Sequence, residues 1–451
     1  MGACMFHEHL VPEGLLRAEI AQRLEEGCVV GDLPERLELA IQNGALEAEV
    51  ERFWAELEAL QPERDEPSEL GAIRARRAAA LRPAARRAKG RGMPQPPEDA
   101  ALFDRVYGAW LGRCAGCTLG KPVEGWSREK IAAYLHAAKA YPLEDYFPVL
   151  EPFPAGLNLN ACYVATTRGR IQAMVRDDDL DYTVLALRIL ETYGPEFSTR
   201  DVAEAWLRAL PYYQIFTAEA VAYRNLLNGI EPPQTARARN PYREWIGAQI
   251  RADMWGYVAP GDPERAAALA YRDAALSHTA NGIYGEMWAA AAIATAMVLD
   301  DPREVVLAGL AEVPEACRLA DAIRDTLRWA DEGVTWEIAW ERVNARYGNY
   351  HWVHVIPNTC AIVLALLYGE GQLERSICLA VMGGKDTDCT GATTGSIVGA
   401  MVGARVLPAK WVAPLQDRLE TTIPGEGAVR LSEMAARTVR VAKTVRCANF
   451  A

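Results

Sequence analysis

Apolar residues recur three and four positions apart through most of this chain. ALFDRVYGAWLGRCAGCTLG (101–120), YTVLALRILETYG (182–194), GEMWAAAAIATAMVL (285–299), CAIVLALLYG (360–369) and SIVGAMVGARVL (396–407) are long, rich in Ala and Leu, and lack the alternation that marks a strand. Each predicts a helix. LLRAEIAQRLEEG and LEAEVERFWAELEAL, within residues 12–60, carry the same spacing. Between these regions the periodicity breaks. Eight basic residues (Arg74, Arg76, Arg77, Arg82, Arg86, Arg87, Lys89, Arg91) follow one another without an acid and lead into the spacer MPQPPED. This run reads as a solvated linker, with contact to RNA, a partner or an acidic surface as the other reading. The predicted organisation is a helical N-terminal extension (1–64), a basic and Pro-rich linker (65–97) and a large all-α domain (98–451).

Two of the predicted helices are unusual. Glycines stand at 108, 112, 116 and 120, and again at 391, 395, 399 and 403. Spacing by four puts each set on one helix face, where a missing side chain lets another backbone approach. Glycine costs about 1 kcal/mol per helix position relative to alanine, so the pattern predicts a packing need. The two helices are expected to lie close together in the core, with direct contact between them as one arrangement.

Acids stand at the heads of two apolar helices: Asp177, Asp178, Asp179 and Asp181 before one, Asp386 and Asp388 before the other. Capping of the helix dipole would use one or two of them. Four acids in five residues repel one another unless a cation sits among them. Oxygen donors of this kind suit Mg²⁺, Mn²⁺ or Ca²⁺ better than zinc, and two such loops can clamp two ions. Capping and metal clamping both remain open on spacing alone.

Composition narrows the function classes. With 451 residues and a net charge of −12, the chain has room for a large core, and its charge disfavours general binding to nucleic acid or an anionic membrane. The start has no secretory pattern, and Phe6 stands where a lipidation signal wants Ser or Thr. Ten scattered cysteines read as reduced thiols of a cytoplasmic protein, Cys114 and Cys117 as buried helix residues.

Three stretches together resemble the ADP-ribosylglycohydrolase family, which includes the dinitrogenase-reductase activating glycohydrolases. GAWLGRCAGCTLGKPVE (108–124) looks like its opening helix and Gly-x-Pro-Val-Glu turn, DDLDYT (178–183) like its Asp-Asp-Thr-x-x-Thr motif, and GGKDTDCTGA (383–392) like its Gly-Gly-Asp-Thr-Asp motif with Lys385 inserted. The resemblance implies a large orthogonal all-α domain. It also implies two divalent cations, Mg²⁺ first with Mn²⁺ or Ca²⁺ as alternatives, and hydrolysis of a ribosyl bond, most simply ADP-ribose on a modified protein or small acceptor. A nucleoside or other small ribosyl conjugate is the first alternative, a non-catalytic ADP-ribose-binding protein the second. Carried over by position, Asp177, Asp178, Asp179, Asp386, Thr387 and Asp388 are metal ligands, and Glu124, Asp179 and Asp386 are catalytic. Asp177 and Cys389 stand where the family commonly has threonine, and Leu180 also departs from its pattern. His278 and Asn281 before the helix at 285, His354 of NYHWVHVIPNT and Gly384 are candidate substrate contacts, with helix capping or core use as the other reading for the two histidines. The aromatics of the 135–170 insert, Tyr141, Tyr146, Phe147 and Tyr163, either stack on a base or pack the loop.

Overall fold

The two glycine stripes pack directly against each other. A computed structural model describes residues 10–78 and 93–448; the first nine residues, and Arg82, Arg86, Arg87, Lys89 and Arg91 of the basic run, lie outside the described residues. In it the helices Asp99–Gly120 and Thr387–Val402 run antiparallel in backbone contact. A Cβ added at Gly112 would overlap the Gly395 carbonyl, one at Gly116 the Gly391 carbonyl, and one at Gly108 the Gly399 carbonyl; the reverse clashes hold as well. The pairing shifts at both ends. Gly120 faces Thr387 rather than a glycine, and Gly403 is the C-cap at φ +80°, a left-handed conformation natural to glycine.

Around this pair the fold is all-α. The described strands are one short antiparallel hairpin, Arg418–Glu420 with Ala428–Arg430. The buried helices Ala280–Ala296 and Val355–Gly369 pack against the glycine pair, with Leu373–Met382 closing one side. No helix among the described residues is long and apolar enough to cross a membrane.

The N-terminal helices Pro12–Glu25, Leu33–Gln42 and Leu46–Ala59 share a small core that also takes Ala218, Val221 and Tyr242 from the main body. Buried ions fasten this joint. Arg243 pairs with Glu19 at 2.7 Å and Glu26 at 2.6 Å, and Gln22 donates to Glu244 at 2.9 Å. The segment after it also docks: Ile73 of the short helix Leu70–Ala75 belongs to the main core, Arg77 pairs with Glu264 and Glu312, and Arg76 with Asp65.

Backbone contact of this kind leaves no room to relax. Gly112→Ala or Gly395→Ala is expected to lower stability by about 3 kcal/mol or more, read from urea unfolding. Gly427→Ala, where an added methyl meets open space, serves as the control and shifts nothing beyond about 0.5 kcal/mol.

Candidate metal and active site

The glycine pair ends with the two acidic loops side by side. Past Gly120 the chain makes a single 3₁₀ turn, Lys121–Val123, and presents Glu124. Across from it, Asp386 leads the second glycine helix. Main-chain bonds lock the loops together: Gly125 N donates to Lys385 O and Lys385 N to Trp126 O, both at 2.9 Å. Lys385, the residue inserted in the motif, holds φ +68° to make this bridge. Gly384 beside it lies so close to the 126–128 backbone that a side chain would clash, so it serves the loop crossing. Asn160, from the long insert, donates to the carbonyls of Lys121 (3.3 Å) and Glu124 (3.1 Å), and Asn358 accepts from Asp386 N at 3.3 Å. Sequence reasoning missed both asparagines, although Asn358 stands in NYHWVHVIPNT beside His354, because their contacts are to main-chain groups of distant segments.

The two acidic helix heads, alike in sequence, behave differently. Asp177 caps the helix Asp178–Tyr193 by accepting from Asp179 N at 3.0 Å and pairs with the Lys121 ammonium. Asp179 is gripped by Arg113, whose guanidinium lies 3.1 Å from Oδ1 and 2.8 Å from the main-chain carbonyl, and it accepts from the Cys389 thiol at 3.3 Å. Arg113 also pairs with buried Asp253 at 2.7 Å. Asp181 turns away to Arg176 and Thr422. Asp386, by contrast, makes no capping bond although it occupies the N-cap. Asp386 Oδ1 and Asp388 Oδ1 are buried without a hydrogen-bond partner, in residues 4% and 5% exposed. Such atoms cost about 1–3 kcal/mol each unless something binds them.

Donor atoms within 4.8 Å of one another form three sets among the described residues: Cys117–Asp177–Asp179, Asp179–Asp388–Cys389 and Glu124–Asp386–Asp388. The last is all oxygen, and its Glu124 end opens to solvent. The Thr387 hydroxyl donates to Gly120 O at 2.8 Å and ties the two glycine helices together. Asp178 adjoins the cluster electrostatically but joins none of the sets.

Mutual repulsion and burial perturb these acids. The charge of Asp388, followed by loss of water, pushes Glu124 up to about 9. Burial and the charge of Asp177 push Asp178 up to about 7. Burial raises Asp179, Asp386 and Asp388 as well. Asp177 goes the other way: burial, the largest single effect, opposes its charge, but Lys121, Arg176 and the Asp179 N–H together hold it below its usual range.

Asn281 and His354 belong to a different network, centred on Glu244 and Arg318, while His278 lies on Ser277, which Arg251 holds. His278 Nδ1 bonds Ser277 at 2.8 Å. Asn281 donates to Glu244 (2.9 Å) and Glu66 (2.7 Å) and accepts from Leu319 N, so each of its polar groups is engaged. His354 caps its helix by accepting from Ile356 N at 3.1 Å. Arg318 joins Glu66 and Glu244 at 2.6 and 2.7 Å. Of the insert aromatics, Tyr146 and Phe147 are core, Tyr141 stacks on His136, and Tyr163 meets Phe153 and Arg170.

Comparison with protein families matches residues 98–445 to the ADP-ribosylglycohydrolase family. No curated protein matches the chain. A solved structure described as an ADP-ribosylglycohydrolase-related protein complex is similar over 77% of this chain and 100% of its own, at 20% identity and a TM-score of 0.48.

Carboxyls held above their usual range favour the fold while protonated, and that contribution is lost as pH rises through the raised value. With Asp178 at about 7, metal-stripped protein should therefore melt several degrees lower at about pH 8 than at about pH 5. Added Mg²⁺ or Mn²⁺ should raise the melting temperature more at the higher pH, since it competes with fewer protons. Scanning calorimetry at both pH values reads both effects.

Proposed function

Because the chain belongs to the ADP-ribosylglycohydrolase family, we propose that it hydrolyses a ribosyl glycosidic bond with the aid of a divalent cation, releasing ADP-ribose from a modified protein or small acceptor. One observation carries this reading: Glu124, Asp386 and Asp388 converge, Glu124 exposed and the aspartates buried, and two of the buried oxygens have no partner. An all-oxygen set of this kind fits Mg²⁺, with Mn²⁺ and Ca²⁺ as alternatives. When bound, the ion supplies Lewis acidity toward sugar or water oxygens.

The chain's own residues supply the rest. Asp386 and Asp388, fixed by the head of the glycine helix, hold the ion. Glu124 completes the trio at its solvent end, where the carboxylate oxygen that the ion does not use can take a proton from the attacking water. Positive charge developing on the sugar during cleavage faces the surrounding carboxylates. Asp179, expected as catalytic, has its oxygens engaged by Arg113 and Cys389 and acts by fixing the neighbouring helix head. All described cysteines are free, which supports a reducing compartment, and we place the protein in the cytoplasm.

Calorimetric titration of metal-stripped protein with ADP-ribose should show binding only when Mg²⁺ or Mn²⁺ is present. Asp386→Asn and Asp388→Asn should each lower release of ADP-ribose from modified peptides by more than about 100-fold while the helical circular dichroism signal is kept. Metal uptake without any response to ADP-ribose would redirect the reading to smaller ribosides. Wild-type turnover in either variant would remove the cation assignment.

A further inference from the structure

The acid cluster divides chemically into two halves. Of the three convergent donor sets, two contain a thiol and one is all oxygen. Thiols are poor ligands for hard divalent ions. Asp388 is common to one thiol set and the all-oxygen set; the other two carboxylates of the thiol sets, Asp177 and Asp179, are occupied. Lys121 Nζ pairs with Asp177 Oδ2, and Asp177 Oδ1 accepts from Asp179 N at 3.0 Å. Arg113, with no exposed surface, holds Asp179 Oδ1 at 3.1 Å, while the Cys389 thiol holds Asp179 Oδ2 at 3.3 Å. All four oxygens of Asp177 and Asp179 thus have a donor. An ion entering this half would have to displace an ammonium and a buried guanidinium, or bind beside their like charge. No cationic side chain is hydrogen-bonded to the Glu124–Asp386–Asp388 half, which Lys121 reaches only through its charge, and the two orphaned oxygens there point to a missing ligand.

This arrangement disagrees with the two-ion centre that the family resemblance implies. We propose that the centre is mononuclear: one hard divalent ion on Glu124, Asp386 and Asp388, with the Lys121 ammonium and the Arg113 guanidinium standing in place of a second ion. Lys121 suits that role by position. The turn that delivers Glu124 to the open half delivers Lys121 to the other, and Asn160 clamps the carbonyls of both residues. Ammonium and ion ligand are therefore held in fixed relation. An ammonium can neutralise a carboxylate and donate hydrogen bonds to a substrate oxygen, but it has no open coordination positions. Any ribose oxygen on that side is recognised by hydrogen bonding rather than by coordination.

The inference rests on the cation-dependent reading above, and counting ions separates the two. Full-length protein is stripped with a chelator and dialysed against Mn²⁺. Bound metal is then measured by elemental analysis and electron paramagnetic resonance. One Mn²⁺ per chain, with the spectrum of an isolated ion, is expected. Two ions with a magnetically coupled spectrum would overturn the mononuclear centre and leave cation dependence standing; no bound ion would overturn both. Lys121→Met, which removes the charge and keeps the length of the side chain, is expected to raise the count from one to two. A folded Lys121→Met protein that still takes up a single Mn²⁺ would show that the ammonium is not what excludes the second ion.

Discussion

Two helix backbones in direct contact hold this molecule's chemistry in place. Where Gly112 meets Gly395 and Gly116 meets Gly391, carbonyls occupy the space that side chains would fill. Glycine is costly in a helix, by about 1 kcal/mol per residue relative to alanine, and it persists here because the approach is otherwise impossible. The antiparallel register then dictates the rest. It brings the end of the first helix to the start of the second, so Gly120 meets Thr387, and Glu124 and Asp386 come together from opposite ends of the family segment. A slip of one turn would separate them by about 5 Å, beyond any shared ligand. The Thr387–Gly120 hydrogen bond and the Lys385 bridge confirm that register at the site itself.

On that scaffold the acidic cluster resolves its own repulsion in two ways. One half uses resident side-chain cations, Lys121 and Arg113, and becomes a structural support for the helix beginning at Asp178. The other half leaves buried oxygens unpartnered and open at one end. The difference follows from where the neighbouring cations lie, since both halves begin as aspartates at the head of an apolar helix. Capping explains Asp177 and fails for Asp386.

Much of this was legible in the sequence. The helical content followed from periodicity, and the glycine stripes announced their contact because a missing side chain at every fourth residue has few other uses. Gly403 looked like a fourth stripe member and proved to be a helix cap, since spacing carries no information about φ. The convergence of Glu124 with Asp386 and Asp388 was implied by motif resemblance alone. The cations inside the cluster were not foreseen, although both stood in the quoted helix and turn: Arg113 is a charge among apolar and glycine residues, and Lys121 directly precedes the Pro-Val-Glu turn. Their partners lie in a distant segment, and pairing at that range leaves no periodic trace. The same limit applies to His278, Asn281 and His354. Their motif-like setting gave no hint that Glu66 and Glu244 would engage Asn281 and His354, or that Ser277 would engage His278.

The joint between the N-terminal helices and the body has an evolutionary consequence. Arg243 lies in the body, yet its charge is answered by Glu19 and Glu26 of the extension, and Ala218, Val221 and Tyr242 complete a core that the extension cannot close alone. Loss of the extension would bare that apolar patch to water as well as take the carboxylates from Arg243. The family segment of this lineage therefore cannot shed its first helices by simple gene truncation. Truncation would require compensating change at Ala218, Val221 and Tyr242 in the same step, so the two parts are inherited together.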